Sequence, residues 1–318
     1  MKTNGNILIT GGTGFVGTHL VQELIANNTP AELIHVTTLK IEPQVILDQL
    51  IPQTNFHEAD LTKPNLVMEL FELLKPEHIY NLASFSSPGL SLEKKSLVLD
   101  INTKIQLNVL EAMLNITPNA KLLSIGSGTE YAPSPSPLTE TSPLGPRNPY
   151  AVSKVTQDML ASAYYASHNL NIVRTRSFNH IGEYQPKGFV IPDFVSQITQ
   201  EIEKGLKKEL RVGNIDVSRD FTDVKDVVKA YALLMEKGEA GEVYNIGSGR
   251  DVTLREILEK LQQLANKEFK IVADESKNRT GETDRVTADI AKIESLGWEP
   301  TIPLDTTLAR IVQWWREQ

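Results

Sequence analysis

The sequence of 318 residues contains no cysteine. This absence excludes a disulfide framework, a thiolate metal site and a cysteine nucleophile. Basic residues are also in the minority, because 32 Lys and Arg face 40 Asp and Glu, giving a net charge of −8 and a pI near 5.4. A nucleic-acid groove or a basic membrane-binding face is therefore not expected. Any anionic ligand must be held by a few local cations.

Long apolar runs are missing as well, since no run approaches the ~18 residues of a membrane span and the N-terminus lacks a signal-peptide pattern. The six histidines are scattered without ligand spacing, so no metal site is expected. A composition of 40% hydrophobic and 23% charged residues is typical of a soluble globular protein. We therefore expect a cytoplasmic protein without nucleic-acid, membrane or metal partners, whose redox chemistry would be borrowed from a cofactor.

In the first 180 residues, short β-branched runs alternate with helical periodicity. Strands are predicted at 6–10, 32–37, 55–58, 78–82, 121–125 and 171–176, and helices at 15–27, 66–74, 96–114 and 149–168. Successive βαβ units predict an α/β fold with a doubly wound parallel sheet, the Rossmann fold. Six of the 17 prolines lie between Pro133 and Pro149, which predicts an ordered loop over the sheet.

Beyond residue 182 the signals mix helices with short strands. Helices are predicted at 193–204, 224–236, 254–265 and 304–316, with a turn at 213–214 and a strand at 243–246 that returns to the main sheet. We expect a smaller α+β substrate domain. The predicted division assigns residues 1–180 and 220–248 to the Rossmann domain, and residues 181–219 and 249–318 to the substrate domain.

The first chemical motif is TGGTGFVG at residues 10–17, between a predicted strand and a predicted helix. Gly11 allows the tight turn, Gly14 lets a pyrophosphate approach the backbone, and Gly17 lets the helix pack on the sheet. Free N–H groups at the helix start favour an anion. The motif predicts a dinucleotide site, whose loop residues are Gly11, Thr13, Gly14, Phe15, Val16 and Gly17.

The adenosine end is predicted to lie after the second strand, where an acidic residue would bind the 2′-hydroxyl of NAD. Residues 36–40 read VTTLK and contain no carboxylate. The hydroxyls of Thr37 and Thr38 together with Lys40 favour a 2′-phosphate, and hence NADPH over NADH, although a solvated Lys40 is the competing interpretation. Further cofactor contacts are expected from Asp60 and Leu61 at the adenine, and from Leu82, Ala83 and Ser84 at the pyrophosphate.

The second chemical motif is YAVSK at residues 150–154. Tyr150 and Lys154 stand four residues apart and share one helix face. A cation close to the phenol favours the phenolate, so the pair brings the tyrosine toward use in proton transfer. Ser127 follows the fifth strand, at the edge where ligands bind in such sheets, and its hydroxyl is placed to hold a substrate carbonyl.

These residues resemble the extended short-chain dehydrogenase/reductase family, in its sugar-nucleotide (epimerase/dehydratase) branch, over essentially the whole chain. The motifs that carry the resemblance are TGGTGFVG at 10–17, NLAS at 81–84, SGTEY at 127–131, YAVSK at 150–154 and RSFNHIG at 176–182. The segments at 212–226 and 241–249 are similar to its GDP-mannose-derived subgroup.

The resemblance implies roles for individual residues. Ser127, Tyr150 and Lys154 would form the catalytic triad, with Lys154 also holding the nicotinamide ribose. Asn179, Arg219 and Arg279 would hold the sugar diphosphate, and Ser86 and Ser87 would face the sugar. Competing interpretations are an ion pair of Arg219 with Asp220, a solvated Arg279 and a turn-capping Asn179. His180 is assigned no catalytic role.

A departure from the dehydratases of the family bears on the reaction. Those enzymes carry threonine at the position of Ser127, followed by a pair that ends in glutamate, whereas this chain has Gly128 and Thr129. Neighbouring Glu130 is expected to point to the opposite face of an extended backbone. The base for water elimination is therefore predicted to be missing.

The resemblance therefore implies reduction of the 4-keto group of GDP-4-dehydro-6-deoxy-D-mannose to GDP-D-rhamnose, with NADPH favoured and NAD possible. The alternatives are a nucleotide-sugar 4-epimerase that keeps its NAD, a GDP-mannose 4,6-dehydratase-like enzyme, and an NADP-sensing regulator on the same fold. The family's four-helix contact further implies a homodimer through the helices near residues 96–114 and 149–168. The apolar residues expected there are Leu97, Ile101, Leu107, Leu110, Leu114, Met159, Leu160, Tyr164 and Tyr165.

Overall fold

The computed structural model describes residues 5–42, 46–86, 91–277 and 285–318. Its main element is a seven-stranded parallel sheet with the order β3-β2-β1-β4-β5-β6-β10. The strands are β1 (Ile7–Thr10), β2 (Ile34–Thr38), β3 (Phe56–Glu58), β4 (His78–Asn81), β5 (Lys121–Ser127), β6 (Asn171–Ser177) and β10 (Val243–Ile246). The doubly wound Rossmann fold is therefore confirmed, and residues 243–246 return to the sheet as predicted.

Helices cover both faces of this sheet. They are α1 (Phe15–Ala26), α2 (Pro64–Leu74), α3 (Lys95–Ile116), α4 (Pro149–His168) and α6 (Val224–Lys237). Successive residues of β1 divide between the two faces: Ile7 and Ile9 pack with α1 and α6, whereas Leu8 packs with α2, α3 and α4. Because side chains alternate along a strand, a continuous apolar run is what a sheet covered on both faces requires.

Two strand ends differ from the predictions by two residues, and the other ends of the predicted strands differ by at most one. Residues Ala31–Leu33 form a 3-10 turn before β2, and β5 extends two residues further, to Ser127. The extension exists because Gly126 and Ser127 continue the parallel pairing with Arg176 and Ser177 of β6. Ser127 is consequently the last residue of a central strand, which fixes its backbone.

The remaining elements build a second layer beyond the carboxyl edge of the sheet. Strands β7 (Asn179–Ile181), β9 (Ser218–Asp223), β11 (Asp251–Thr253) and β13 (Arg285–Val286) form one small sheet, and β8 (Glu209–Val212) pairs with β12 (Lys270–Ala273). Helices α5 (Val190–Ser196), α7 (Leu254–Leu264), α8 (Ala291–Glu294) and α9 (Leu304–Arg316) complete it. The helix predicted at 193–204 ends at Ser196 and continues as a π-helix, Gln197–Ile202.

The proline-rich loop between β5 and α4 is ordered and lies over the carboxyl edge, as predicted. Tyr131 bridges to Leu144, and Leu138 bridges to Ala288. The Glu140 side chain accepts the Asn245 backbone N–H at 2.8 Å. Within the described part of the chain, no helix is both long and apolar enough to cross a membrane.

Candidate active site

A cavity of about 1330 Å³ runs along the carboxyl edge of the sheet, between the sheet and the second layer. It brings together most of the residues that the sequence singled out. These are Gly11, Thr13, Gly14, Phe15, Val16, Gly17, Thr38, Asp60, Leu61, Leu82, Ala83, Ser84, Ser86, Ser127, Tyr150, Lys154, Asn179 and Arg219. Lys40 does not line the cavity, and Ser87 and Arg279 lie outside the described residues.

The glycine loop has a backbone that only small residues fit. Gly11 has a φ of +63°, a conformation that residues with a Cβ rarely adopt. A Cβ on Gly17 would lie 2.4 Å from the Gly12 carbonyl oxygen. Helix α1 begins after Gly14 without a side-chain cap or an acidic residue in its first turn. Its first N–H groups therefore face the cavity with a favourable dipole, which suits a dinucleotide pyrophosphate.

At the adenosine end, two of the predicted residues have partners within the protein. The Thr37 hydroxyl accepts the Gly11 N–H at 2.9 Å and thereby holds the glycine loop, while Thr37 also lines the cavity. Lys40 points to solvent, where its Nζ lies 2.9 Å from Glu42 Oε1. Thr38 lines the cavity, with its hydroxyl donating to the Lys40 carbonyl at 2.9 Å.

Helix α4 positions the catalytic candidates on one face. Its N-cap Asn148 accepts the Ala151 N–H at 2.8 Å, and Pro149 occupies the first helical position, where proline suits a helix start. The Lys154 Nζ lies 6.0 Å from the Tyr150 ring centroid and donates to the Ile125 carbonyl at 2.8 Å. Ser127 stands opposite at the end of β5, so the three residues meet at the cavity wall.

Burial dominates the ionisation of this group. It raises the pKa of Tyr150 to about 12, with a hydrogen bond from the Ser127 side chain acting in the opposite direction. It lowers the pKa of Lys154 to about 8. The expected lowering of the tyrosine pKa is therefore wrong for this structure. The free-energy cost of removing a phenolate from water is larger than the stabilisation that the neighbouring groups provide. The phenol is held as a proton donor.

Residues Gly128–Glu130 form a single 3-10 turn, which corrects the assumption of an extended backbone after Ser127. Thr129 donates its N–H to the Ser127 Oγ at 3.2 Å, and their hydroxyl oxygens lie 2.9 Å apart. Glu130 folds back and accepts the Ser127 N–H at 2.6 Å. The signal was present in the sequence, because Ser-x-x-Glu is the pattern of a capping box.

The far end of the cavity carries cations. Arg219 lines it from β9 and donates from Nη1 to the Ser218 carbonyl at 2.7 Å. The Asp220 carboxylate does not pair with it but accepts N–H groups of Ser248, at 2.6 Å, and Ala288, at 3.1 Å. The competing interpretation, in which Arg219 forms a local ion pair with Asp220, is therefore wrong.

Two cavity arginines were not anticipated from the sequence, Arg147 and Arg285. Arg285 is fixed by a two-pronged contact to Asp251, at 3.0 and 2.8 Å. His180 also lines the cavity. It stacks on Phe15 with ring centroids 6.0 Å apart, and burial lowers the pKa of its imidazole. Arg147 and Arg285 belong to no sequence motif, so only the tertiary structure reveals that these two arginines line the cavity.

Comparison with known proteins agrees with this arrangement. A family model described as GDP-mannose 4,6 dehydratase matches residues 8–311. The chain belongs to this family. The GDP-mannose 4,6-dehydratase family is part of the extended short-chain dehydrogenases/reductases, so the expected membership and the expectation of an NAD(P)-dependent enzyme are both confirmed.

Individual members of the family show how varied its reactions are. The chain is 34% identical to GDP-6-deoxy-D-mannose reductase of Pseudomonas aeruginosa, over 98% of this chain and 97% of that protein. The structure of RMD from Pseudomonas aeruginosa complexed with NADPH is 33% identical, with a TM-score of 0.84 and 99% of each chain covered. DesIV, a dTDP-glucose 4,6-dehydratase of Streptomyces venezuelae with NAD and TYD bound, is 30% identical, with a TM-score of 0.86 and coverage of 98% and 97%.

Proposed function

We propose that the protein is an NADPH-dependent ketoreductase that converts GDP-4-dehydro-6-deoxy-D-mannose into GDP-D-rhamnose. The observation that carries this proposal is the meeting of Ser127, Tyr150 and Lys154 at the wall of the cavity that also contains the glycine loop. The similarity to a GDP-6-deoxy-D-mannose reductase supports the choice of substrate.

The residues of the chain divide the chemistry among them. NADPH, when bound, supplies the hydride to carbon four of the sugar. The oxygen on that carbon gains negative charge and needs a proton, which the Tyr150 phenol is protonated and placed to donate. The Ser127 hydroxyl, oriented by Thr129, stabilises the same oxygen. The buried Lys154 ammonium favours the phenolate that remains.

The surroundings of Ser127 argue against water elimination. Thr129 stands where a dehydratase carries glutamate, and its hydroxyl is engaged by Ser127. The adjacent carboxyl of Glu130 is completely buried and faces the Ser127 backbone and Arg176 instead of the cavity. A carboxylate that cannot reach the sugar cannot remove its proton.

The cofactor proposal is NADPH, with NAD possible. The glycine loop and the open start of α1 fit a pyrophosphate, with Leu82, Ala83 and Ser84 beside it and Asp60 and Leu61 at the adenine, and all five of these residues line the cavity. Among the described residues 37–42, those that line the cavity are Thr37, Thr38 and Leu39, none of which carries a carboxylate, and the structure of the Pseudomonas aeruginosa RMD contains NADPH. Lys40 would join a 2′-phosphate only by leaving Glu42.

The substrate end is assigned to the second layer. We propose that Asn179 and Arg219 hold the sugar diphosphate and that Ser86 faces the sugar, with Ser87 and Arg279 continuing these sites. The division into a Rossmann domain (1–180 and 220–248) and a substrate domain (181–219 and 249–318) belongs to this proposal.

A homodimer through α3 and α4 is also part of the proposal. Leu97, Leu107 and Met159 expose 46%, 37% and 47% of their surfaces on these helices, which is unusual for large apolar side chains. Leu110, expected at the same contact, is completely buried in the subunit core instead.

A substrate panel tests the proposed activity. GDP-, dTDP- and UDP-linked 4-keto-6-deoxy sugars are each mixed with NADPH and the purified protein, and loss of NADPH absorbance is followed. We expect turnover with the GDP-linked sugar, and NMR of the product should show the equatorial 4-hydroxyl of GDP-D-rhamnose, whereas an axial 4-hydroxyl would contradict this product. An epimerase would instead release bound NAD on denaturation and interconvert 4-hydroxy sugars, and a sensor would bind NADPH without turnover.

A further inference from the structure

Directly behind the catalytic serine lies a carboxyl group that the proposed reaction does not use. Glu130 is completely buried, and its Oε1 accepts the Ser127 backbone N–H at 2.6 Å. A Cβ built on Gly126 would lie 2.5 Å from the same oxygen, so glycine at that position leaves room for the carboxyl. The carboxyl therefore fixes the backbone from which the Ser127 hydroxyl projects.

The other side of this carboxyl faces a chain of buried charges. Arg176 Nε on β6 lies 3.3 Å from Glu130 Oε2, and its Nη2 lies 2.7 Å from Asp158 Oδ2 on α4. Arg176 also donates to the Glu140 carbonyl of the proline-rich loop at 3.1 Å. The second oxygen of Asp158 accepts from Arg174 at 3.0 Å. Strand, helix and loop are thereby joined at one buried point.

We propose that Glu130 is a positioning residue for the ketoreductase: its carboxyl holds the Ser127 backbone and supplies the counter-charge that keeps Lys154 charged beside Tyr150. The inference rests on the proposed function, because it uses the roles given there to Ser127, Tyr150 and Lys154. Glu130 itself is not among the residues that line the cavity, so it would act only through these residues.

Several elements packed around Glu130 direct ionisable groups toward it. Those groups are Tyr150, Lys154 and Asp158 of α4, Arg176 of β6, Tyr131 of its own turn and, beyond Tyr131, Glu140 of the loop. Burial raises the pKa of Glu130 to about 8, and Asp158 adds to the rise, whereas the Ser127 N–H, Arg176 and Lys154 oppose it. The Glu130 carboxylate in turn opposes the fall in the pKa of Lys154 that burial causes.

The sign of the coupling follows from these directions. Below its raised pKa Glu130 is a neutral acid, and above it Glu130 is an anion. The anion forms over the same pH range in which the buried Lys154 would lose its proton, and it favours the charged ammonium. Lys154 therefore keeps its charge to a higher pH than it would without Glu130, which extends the alkaline side of the activity profile.

The pH dependence of kcat in Glu130→Gln tests the proposal, with NADPH and the GDP-linked 4-keto sugar as substrates. Glutamine keeps the size of the side chain and accepts the Ser127 N–H, but carries no charge. Near pH ~6.5 we expect kcat within about threefold of wild type, and near pH ~9 a loss of about tenfold, because the alkaline limb moves down by about one pH unit. Wild-type and variant profiles that stay parallel at every pH would overturn the proposal.

A matched control is Glu256→Gln. Glu256 holds the equivalent position of a second capping box at the start of α7, where its Oε2 accepts the Thr253 N–H at 2.8 Å, and it does not line the cavity. Its pH profile should match wild type. An alkaline shift in this control would mean that losing any capping carboxylate has the effect, which contradicts a specific role for Glu130.

A variant with a shorter side chain covers the case in which thermal unfolding shows that Glu130→Gln does not fold. Glu130→Asp keeps the charge but is one methylene too short for the Ser127 N–H. We expect a lower kcat at every pH, an unmoved alkaline limb and an unchanged KM for NADPH. An unchanged kcat, or an alkaline limb at lower pH, contradicts the proposal.

A binding measurement separates this inference from the proposed function. NADPH is titrated into wild type and Glu130→Gln by fluorescence, and Lys154 is expected to weaken its hold on the cofactor as it loses charge. The variant should match wild type near pH ~6.5 and bind about fivefold more weakly near pH ~9; equal affinities at both values contradict the role of Glu130. A wild-type protein that binds NADPH but reduces no keto sugar contradicts the proposed function alone.

Discussion

Burial acts in opposite ways on the pKa values of Tyr150 and Lys154, the two ionisable side chains that have roles in the proposed reaction. The pKa of Tyr150 is raised to about 12, so the phenol holds the proton that the forming alkoxide needs. The pKa of Lys154 is lowered to about 8, so its charge is sensitive to the neighbouring carboxyl of Glu130. One face of α4 thus carries both the proposed proton donor and the cation proposed to stabilise its conjugate base.

Replacing Tyr150 by Phe removes that donor while keeping the ring. We expect kcat to fall by about 100-fold to 10,000-fold, because general acid catalysis contributes on that order. The dissociation constant for NADPH, measured by fluorescence titration, should stay close to wild type. Substantial turnover by the variant would show that another group donates the proton.

Lys154→Ala should reduce both turnover and NADPH affinity, since the role proposed for Lys154 includes the nicotinamide ribose as well as the phenol.

Lys40 offers a test of the cofactor preference. Its ion pair with Glu42 is exposed and therefore worth less than about 1 kcal/mol, so a 2′-phosphate can draw Lys40 away. Lys40→Ala should raise the KM for NADPH about tenfold through loss of a charge-assisted contact of roughly 1.5 to 3 kcal/mol, and leave the KM for NADH unchanged. Glu42→Gln is the paired control, which should tighten NADPH binding slightly. Equal effects on the KM values for both cofactors would contradict the contact with a 2′-phosphate and would favour the interpretation of Lys40 as a solvated surface residue.

At the scale of elements, the sequence predicts types and order well because both depend on local patterns. Apolar strands covered on both faces and amphipathic helices account for the order of the elements along the chain. The ends of elements were less predictable, since β5 is extended by pairing with Ser177 of β6, a residue about fifty positions away. Pairing between residues so far apart in the sequence cannot be predicted from the pattern within a local window.

The candidate site shows the same division. The glycine loop and the helix bearing Tyr150 and Lys154 are local motifs, and the cavity gathers them as expected. The bond between the Gly11 N–H and the Thr37 hydroxyl was not anticipated, because this contact is made only when two strands come together. Arg285 was missed because its strand joins β9 from the far end of the chain.

The glycine loop gives an element-scale prediction. A Cβ on Gly17 would meet the backbone of Gly12 at 2.4 Å, and overpacking of this kind costs about 1 to 3 kcal/mol. Gly17→Ala should lower the thermal unfolding midpoint and weaken NADPH binding by about tenfold or more. Gly5→Ala is the control, because its new Cβ meets only the flexible end of Glu77. An unchanged NADPH affinity in Gly17→Ala would contradict the role of the loop.

At the scale of the whole molecule, the exposed apolar residues of α3 and α4 predict a homodimer. Light scattering at micromolar concentration should give twice the subunit mass of 35.4 kDa. Met159→Lys combined with Leu107→Lys should yield monomers, because two charges per subunit would be buried without partners. Leu206→Lys is the control, since Leu206 is 74% exposed and lies outside both helices. A monomeric wild-type protein contradicts the prediction.

The most direct test of the central claim compares two sugars with the same wild-type protein. GDP-mannose and its 4-keto-6-deoxy dehydration product are supplied separately, and NADPH consumption and sugar products are followed by absorbance and NMR. Because Thr129 cannot act as the eliminating base and the Tyr150 phenol holds the proton proposed for the forming alkoxide, we predict that the keto sugar is reduced with consumption of NADPH while GDP-mannose is left unchanged. Formation of the keto sugar from GDP-mannose, or failure to reduce the keto sugar, would contradict the account.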